Sequence, residues 1–181
     1  MNEEPSEVLA EEPSAEDEEQ EKAELQKHVE ELKERIQQKQ QLREKNMSRT
    51  LPDDSFFFKL DSSLKKNTAF VKKLKQFTAA QLDSLLKDMS GLNLSKYISE
   101  VSQAIVEAKL KMTDVPAVIT LSSKLHEIYA EFSQHFFENW QKLLMLKPGE
   151  KVQNASKLRV DVRLYCELLS VGIFPNKVRR D

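Results

Sequence analysis

The stretch of sequence that decides the fold runs from residue 94 to residue 112 and reads LSKYISEVSQAIVEAKLKM. Its apolar side chains recur every three or four residues, the spacing that places them on one face of a helix. They are Leu94, Tyr97, Ile98, Val101, Ala104, Ile105, Ala108 and Met112. The pattern predicts a long amphipathic helix that buries one face against its neighbours.

Five further stripes with the same period flank this helix between residues 54 and 172. Local signals separate them: a capping box that opens at Thr78, a helix start at Asp114, the turn Pro148-Gly149 and a C-terminal cap at Gly172. We therefore expect six helices of about 11–20 residues each. Helices joined by short loops pack antiparallel, and stacked pairs form an α-solenoid. No fixed-period repeat is present, so the expected stack is HEAT-like.

The composition supports an all-α class. Only 3 Gly and 6 Pro occur among 181 residues, too few for a many-turned β fold. The three glycines lie far apart, which excludes glycine-rich phosphate-binding loops. No apolar run approaches the length of a membrane span, so no membrane partner is expected.

The first fifty residues are charged. Residues 1–20 contain nine acidic residues and no Lys or Arg, and we expect residues 1–17 to be a disordered acidic tail, either a partner-binding arm or a solubilising leader. Residues 18–52 are expected to form a charged helix and linker. A coiled-coil seam is present there, but two heptads are too few to indicate a coiled coil, so an oligomer is not expected. The seam consists of Leu25, Val29, Leu32 and Ile36.

No residue pattern indicates catalysis, and we expect no enzyme, no cofactor and no metal. His126-Glu-Ile-Tyr-Ala130 begins like a zinc-protease motif, but Ala130 stands where the second histidine ligand is needed. His126 and His135 are expected on a helix surface or at the edge of the core. Cys166 has no CxxC partner and is expected to be a small buried side chain.

A basic face between Lys59 and Lys75 is the candidate nucleic-acid surface. Lysines neutralise phosphates without reading sequence. The lysines that could contact RNA are Lys65, Lys66, Lys72, Lys73 and Lys75. The alternative is a solvated lysine face on a helix whose other side is buried, and the preceding cluster Phe56-Phe57-Phe58 is expected to plug the edge of the core.

Several blocks resemble a known family. Leu60-Asp-Ser-Ser-Leu-Lys-Lys-Asn-Thr-Ala-Phe-Val-Lys-Lys-Leu-Lys75 is similar to the start of the first middle domain in the family of regulator of nonsense transcripts 2, the scaffolds of nonsense-mediated mRNA decay. Gly91-Leu-Asn-Leu-Ser-Lys-Tyr-Ile98, Ile105-Val-Glu-Ala-Lys-Leu-Lys111, Lys157-Leu-Arg159 and Glu167-Leu-Leu-Ser-Val-Gly-Ile-Phe174 match the same region. The charged helix before Pro52 resembles the family only in composition.

The resemblance implies a fold like the middle domain of initiation factor 4G over residues 53–174, and a non-enzymatic scaffold role in the cytoplasm and around the nucleus. Family members bind the helicase Upf-one and the exon-junction factor Upf-three through segments with no match here. We expect residues 175–181 to be a tail unlike the family. The middle domain is then expected to be partial, with an apolar face exposed on its last helix. An RNA-binding helical module remains the alternative function.

Overall fold

The computed structural model describes the backbone of residues 15–145, 151–152 and 154–175, and in those ranges the side chains from residue 19 onward. These ranges contain eight α-helices. They are α1 (Ala15–Met47), α2 (Asp54–Phe58), α3 (Leu64–Leu74), α4 (Leu82–Ser90), α5 (Ile98–Glu107), α6 (Val115–Ile128), α7 (Phe132–Leu144) and α8 (Ala155–Ser170). Short 3-10 turns lead into α4, α5 and α6. The all-α class and the six helices from α3 to α8 are confirmed. Residues 1–14 of the acidic tail, the turn Pro148-Gly149 and residues 176–181 lie outside the described residues.

The helices form two layers. In one layer α3 packs on α5 and α5 packs on α7, while in the other α4 packs on α6 and α6 packs on α8. Contacts of α3 with α4, α6 with α7 and α7 with α8 join the layers. Each helix therefore packs on the helix two places further along the chain, which is the stacking of a HEAT-like solenoid.

The chain divides into two compact units, residues 1–39 and residues 40–181. The division falls inside α1, so residues 40–47 at the end of this helix belong to the unit that contains the stack. In the other unit, the apolar seam residues of α1 are 40–62% exposed. Most side chains described in residues 19–39 are exposed, as expected for a solvated charged helix.

The centre of the stack is rich in aromatic side chains. Phe132 and Phe136 of α7 stack with ring centroids 4.9 Å apart, and Trp140 on the next turn is fully buried. Phe174 meets the edge of Phe136 at 5.5 Å. Such pairs contribute about 0.5–1.5 kcal/mol beyond the burial of their area. The aromatic stripe of the sequence thus forms the core contact of α7.

Two of the local signals act as the sequence indicates. The backbone N–H of Thr78 donates to the side chain of Gln81 at 3.3 Å and completes the predicted capping box. The buried carboxylate of Asp114 accepts hydrogen bonds from the backbone N–H of Ala79 and of Lys111, each at 2.8 Å. This carboxylate fixes the start of α6 and ties it to the start of the 3-10 turn before α4.

The helix predicted over residues 94–112 is shorter in the structure. Its regular part, α5, ends at Glu107 because Ala108 takes an extended conformation. Lys111 is already held by Asp114 at the start of α6. Met112 is therefore half exposed and does not continue the stripe. Leu94 and Ala108 remain buried on either side of the helix ends.

The predicted inward face of α8 is only partly right, since Leu168 is buried and Tyr165 and Leu169 pack against the core, but Val162 does not. The apolar pattern places Leu158, Val162, Tyr165, Leu168 and Leu169 inward. In the structure Val160, Leu164 and Leu168 are buried, while Val162 is 45% exposed.

Two carboxylates share the buried side of α8 with its apolar residues. Asp161 and Glu167 lie on the inward side and are only 5% and 9% exposed. Each pairs with a cation on its own helix, Lys157 at 2.5 Å and Arg163 at 2.7 Å. Carboxylates are rarely buried unless they are paired. A prediction from apolar spacing alone therefore does not place Asp161 and Glu167 on the buried side of α8.

Candidate interaction surfaces

The basic face of α3 is largely neutralised by ion pairs. Lys66 contacts Asp61 at 2.6 Å, Lys73 contacts Asp88 at 2.7 Å and Lys75 contacts Glu107 at 3.1 Å. The hydrogen bond from Lys66, followed by that from Ser63, holds the pKa of Asp61 well below its usual range, so this partner is ionised near neutral pH. Three of the five candidate RNA-contacting lysines thus face a carboxylate. Such exposed pairs still exchange readily with solvent.

The other lysines of this region lack such partners, and one of them directly follows an exposed aromatic side chain. Lys59, Lys65 and Lys72 are exposed, and no carboxylate among the described residues pairs with their ammonium groups. Phe58, at the end of α2, is 86% exposed. The expectation that this cluster plugs the edge of the core holds for Phe57 and not for Phe58. Only Phe57 packs inward, with its ring 5.7 Å from that of Tyr129, because three consecutive residues of a helix turn cannot share one face.

A polar junction joins the end of α1 to the ends of α6 and α8. Asn46 is buried, and its side-chain amide donates to the carbonyl oxygen of Val171 at 2.9 Å and to the hydroxyl of Ser123 at 3.3 Å. Its backbone carbonyl lies 3.2 Å from Nε2 of His126. One asparagine therefore links α6 with the end of α8, two of the three helices of the second layer.

Two arginines extend this junction to the last carbonyls of the same helices. Arg43 donates to the carbonyl oxygens of Leu169 and Ser170 at 3.1 and 3.0 Å. Arg49 donates to the carbonyl of His126 and, at 3.4 Å, to those of Tyr129 and Ala130. The last carbonyls of a helix lack partners within it and carry partial negative charge. The two guanidinium groups supply both the donors and the opposite charge.

The end of α8 closes in a Schellman motif at the same place. The N–H of Ile173 donates to the carbonyl of Leu168 at 3.1 Å, and that of Gly172 donates to the carbonyl of Leu169 at 3.2 Å. Gly172 has a φ of 73°, which side chains with a Cβ rarely adopt. An added Cβ would lie 3.1 Å from Cγ of Met47. The carbonyls from Leu168 to Val171 therefore all have donors.

His126 is a structural residue of this junction. It is 6% exposed, and with a proton on Nε2 it donates to the carbonyl of Asn46 while Nδ1 has no partner among the described residues. Burial, together with the nearby positive charge of Arg49, lowers the pKa of His126 to about 4. It is neutral near pH 7. The sequence-based expectation that His126 lies at the edge of the core is confirmed, because its ring is buried and borders a groove.

That groove has a volume of about 590 Å³ and lies between the ends of α6, α7 and α8. Its lining is polar and aromatic, and includes His126, Ser133, Phe137, Glu138 and Gly172. The described residues contain no group of three or more His, Cys, Asp or Glu that could hold a metal ion. Glu131 is exposed at the start of α7, whereas His126 is buried against Asn46.

The outer face of α8 is partly apolar. Val162 is 45% exposed, and Leu158 is half-buried. Cys166 is exposed, which corrects the expectation that it is buried. Cys166 lies one helical turn after Val162 and therefore shares its exposed side of α8. None of the described helices combines the length and apolarity that a membrane crossing needs.

Arg43, Asn46 and Arg49 are absent from the sequence-based candidates. The charged composition of α1 suggested a solvated helix, and nothing in the local pattern marks these three residues as buried or bonded. The available signal was their spacing: residues 43 and 46 are three apart and share a face of α1. Their partners lie as far as 127 residues away, so no local pattern could identify them.

Comparison with known proteins places this fold. A family model described as the MIF4G domain matches residues 64–178. Human regulator of nonsense transcripts 2 is 49% identical over 146 residues, and the alignment covers 80% of this chain and 12% of the relative. The Arabidopsis thaliana regulator of nonsense transcripts UPF2 is 39% identical over 153 residues, covering 80% of this chain and 13% of the relative. This chain thus spans about an eighth of these relatives.

A solved structure agrees with these sequence matches. The crystal structure of the first MIF4G domain of human nonsense mediated decay factor UPF2 superposes with a TM-score of 0.82 at 47% sequence identity. The superposition covers 87% of this chain and 52% of the solved chain. Since the family model, the relatives and the fold agree, the chain belongs to the MIF4G domain family and is a homologue of regulator of nonsense transcripts 2.

Proposed function

We propose that this chain is a scaffold module of nonsense-mediated mRNA decay that acts through protein–protein contacts. The observation that carries the proposal is the match in sequence and fold to the first MIF4G domain of a nonsense mediated decay factor. A HEAT-like stack offers extended helical surfaces for such contacts. The partly exposed outer face of α8 is one such surface, since Val162 and Cys166 are accessible there.

The proposed role needs no catalysis, and it goes with a cytoplasmic location. Partners are sought among the proteins of the decay complex. We expect the helicase Upf-one and Upf-three to bind this chain weakly or not at all, because the family segments credited with those contacts have no match in it. Strong capture of either by the purified chain in a pull-down would contradict this part of the proposal.

The main test replaces the aligned segment of a full-length human relative with this chain. Cells that depend on the chimera carry a reporter transcript with a premature stop codon, and the half-life of the transcript is measured. We expect the chimera to restore decay to within about twofold of the unmodified relative. A matched chimera with Trp140→Ala opens a large cavity in the core and should fail, since such truncations cost about 3–5 kcal/mol. A stable transcript beside an abundant, soluble chimera would refute the proposal.

A second candidate, binding of single-stranded RNA, is favoured by one specific observation. Phe58 is 86% exposed and is followed directly by Lys59, whose ammonium group is unpaired within the described residues. Base stacking on an exposed aromatic ring, beside lysines that contact phosphates, is the usual way to bind single strands without sequence preference. Lys65 and Lys72 lie seven residues apart, on one face of α3.

The ion pairs provide a matched control for the RNA proposal. Replacing Lys59, Lys65 and Lys72 with Gln should weaken RNA binding at low salt and flatten its salt dependence. Replacing the paired Lys66, Lys73 and Lys75 with Gln removes the same charge and should weaken binding less. Fluorescence anisotropy with a labelled oligouridine measures both sets. Equal losses in the two sets, or no binding at low salt, would dismiss RNA as a ligand of this surface.

A further inference from the structure

We propose that the seam of α1 binds one acidic amphipathic helix of another protein to form a two-stranded coiled coil. The seam is Leu25, Val29, Leu32 and Ile36, whose exposed fractions are 62, 40, 40 and 56%. Four large apolar side chains at intervals of four, three and four residues form a continuous stripe about two heptads long. This inference extends the proposed scaffold role to a surface outside the stack.

The identities of the seam residues select the number of strands. In heptad positions Val29 and Ile36 occupy a, and Leu25 and Leu32 occupy d. β-Branched residues at a with Leu at d favour two strands over three or four. The seam therefore needs one partner helix. That helix must carry apolar residues at its own a and d positions over two heptads.

The charges beside the seam select the chemistry of that partner. Between Leu25 and Ile36 the flanking e and g positions carry Gln26, His28, Lys33 and Arg35, with no acidic residue. The acidic residues of this stretch, Glu30, Glu31 and Glu34, occupy the outward positions b, c and f. Lys33 also lies 4.0 Å from Glu30, but an exposed pair of this kind is weak and exchanges readily. A partner with Glu or Asp at its own e and g positions is complementary on both edges.

The same charges disfavour a second copy of this chain. In a parallel pair, His28 of one helix faces Lys33 of the other, and Arg35 faces Gln40. In an antiparallel pair, His28 faces Arg35 and Gln26 faces Lys33. Neither direction gives an attractive pair in the two heptads of the seam. Edge charges of this kind choose partners by excluding the wrong ones.

The test uses the full 181-residue chain and two labelled four-heptad peptides with Val at a and Leu at d. One peptide has Glu at every e and g position and the other has Lys. We expect the Glu peptide to bind at least tenfold more tightly in fluorescence anisotropy, and 0.5 M NaCl to reduce the difference. Charge reversal by Lys33→Glu and Arg35→Glu should invert the preference.

Two further variants locate the binding on the seam. Val29→Gln with Leu32→Gln keeps good helix formers and should weaken the Glu peptide at least tenfold. Glu30→Gln with Glu34→Gln changes only outward positions and should leave binding within about twofold of the unchanged chain. Equal affinity for the two peptides, absence of binding, or a self-dimer in sedimentation that the seam variant dissolves would overturn the inference. The proposed decay function would stand in each case, because the test involves no decay factor and no residue of the stack.

Discussion

The two halves of α1 have similar charged compositions and different surroundings. The half from Leu25 to Ile36 carries the four apolar side chains of the seam, yet these are 40–62% exposed. The half that ends at Met47 is more polar, yet Asn46 is 4% exposed and bonded to two other helices. The half that an apolar pattern marks for burial is thus the accessible one.

The contrast shows what determines docking at the end of this stack. The junction is polar because its partners are carbonyl groups at helix ends, which need donors rather than apolar cover. Arg43 and Asn46 supply those donors to α8. The apolar stripe of Leu25, Val29, Leu32 and Ile36 remains 40–62% exposed.

The largest effect is expected from Gly172→Ala, which breaks the docked half. The substitution forces a Cβ into a φ of 73° and to within 3.1 Å of Met47, so unfolding should become easier by about 2 kcal/mol or more. Gly91→Ala is the matched control, since its φ is −100° and its nearest contact would be 3.8 Å away. Urea denaturation followed by circular dichroism measures both. Equal losses in the two variants would contradict the role of Gly172 in the junction.

Asn46→Ala should have the next largest effect. It leaves the carbonyl of Val171 buried without its side-chain donor, which costs about 1–3 kcal/mol. Gln37→Ala, at an exposed position of α1 directly after the last seam residue, should change stability by less than about 0.5 kcal/mol. Thermal unfolding of the two variants compares the halves directly. A smaller loss for Asn46 than for Gln37 would reverse the comparison.

The junction should also make stability depend on pH through His126. Its pKa is about 4 in the folded protein and near 6.5 in the unfolded chain, so the unfolded state binds the extra proton first. The contribution of His126 is therefore fully present above about pH 6.5 and is lost as the pH falls toward 4. Protonation would place a second N–H donor on Nδ1, which has no acceptor among the described residues, beside the charge of Arg49.

Unfolding free energies between pH 4 and pH 7.5 check this dependence. His126→Gln should flatten the slope in that window, although it lowers stability at neutral pH. His28→Gln, on the exposed half of α1, is the control for loss of an imidazole outside the junction. Parallel curves for the unchanged chain and the His126 variant would show that the slope has another source.

The smallest effect is expected on the seam. Ile36→Ala removes a side chain that is 56% exposed and should change stability by no more than about 0.5 kcal/mol. Leu42→Ala, one and a half turns further along α1, removes a half-buried side chain that packs against the core and should cost more. Chemical denaturation gives the free energy of unfolding of both variants and so locates where along α1 the contact with the core begins. An equal cost would mean that the seam already has a partner within the chain.

The sequence predicts the helical stack well because its determinants are local. Apolar spacing, the capping box at Thr78 and the start at Asp114 each depend on residues a few positions apart, and each acts as expected. The inward face of α8 is predicted only in part, because Asp161 and Glu167 are buried in pairs with cations of their own helix and an apolar pattern does not include them. The sequence does not predict the polar junction, for a different reason. Its donors and acceptors lie up to 127 residues apart, and a charged helix gives no local sign of which side chains will find carbonyls.

The reach of the junction along the chain has a consequence for synthesis. Arg43 leaves the ribosome long before Leu169 and Ser170, the residues whose carbonyls it bonds. Until the chain has been made through Gly172, this segment can bond only to the end of α6, because the carbonyls of Leu169, Ser170 and Val171 do not yet exist. Contacts between residues this far apart in sequence form late and slow the folding of a domain. The bonds between the end of α1 and the end of α8 can therefore form only when the last helix of the second layer is in place.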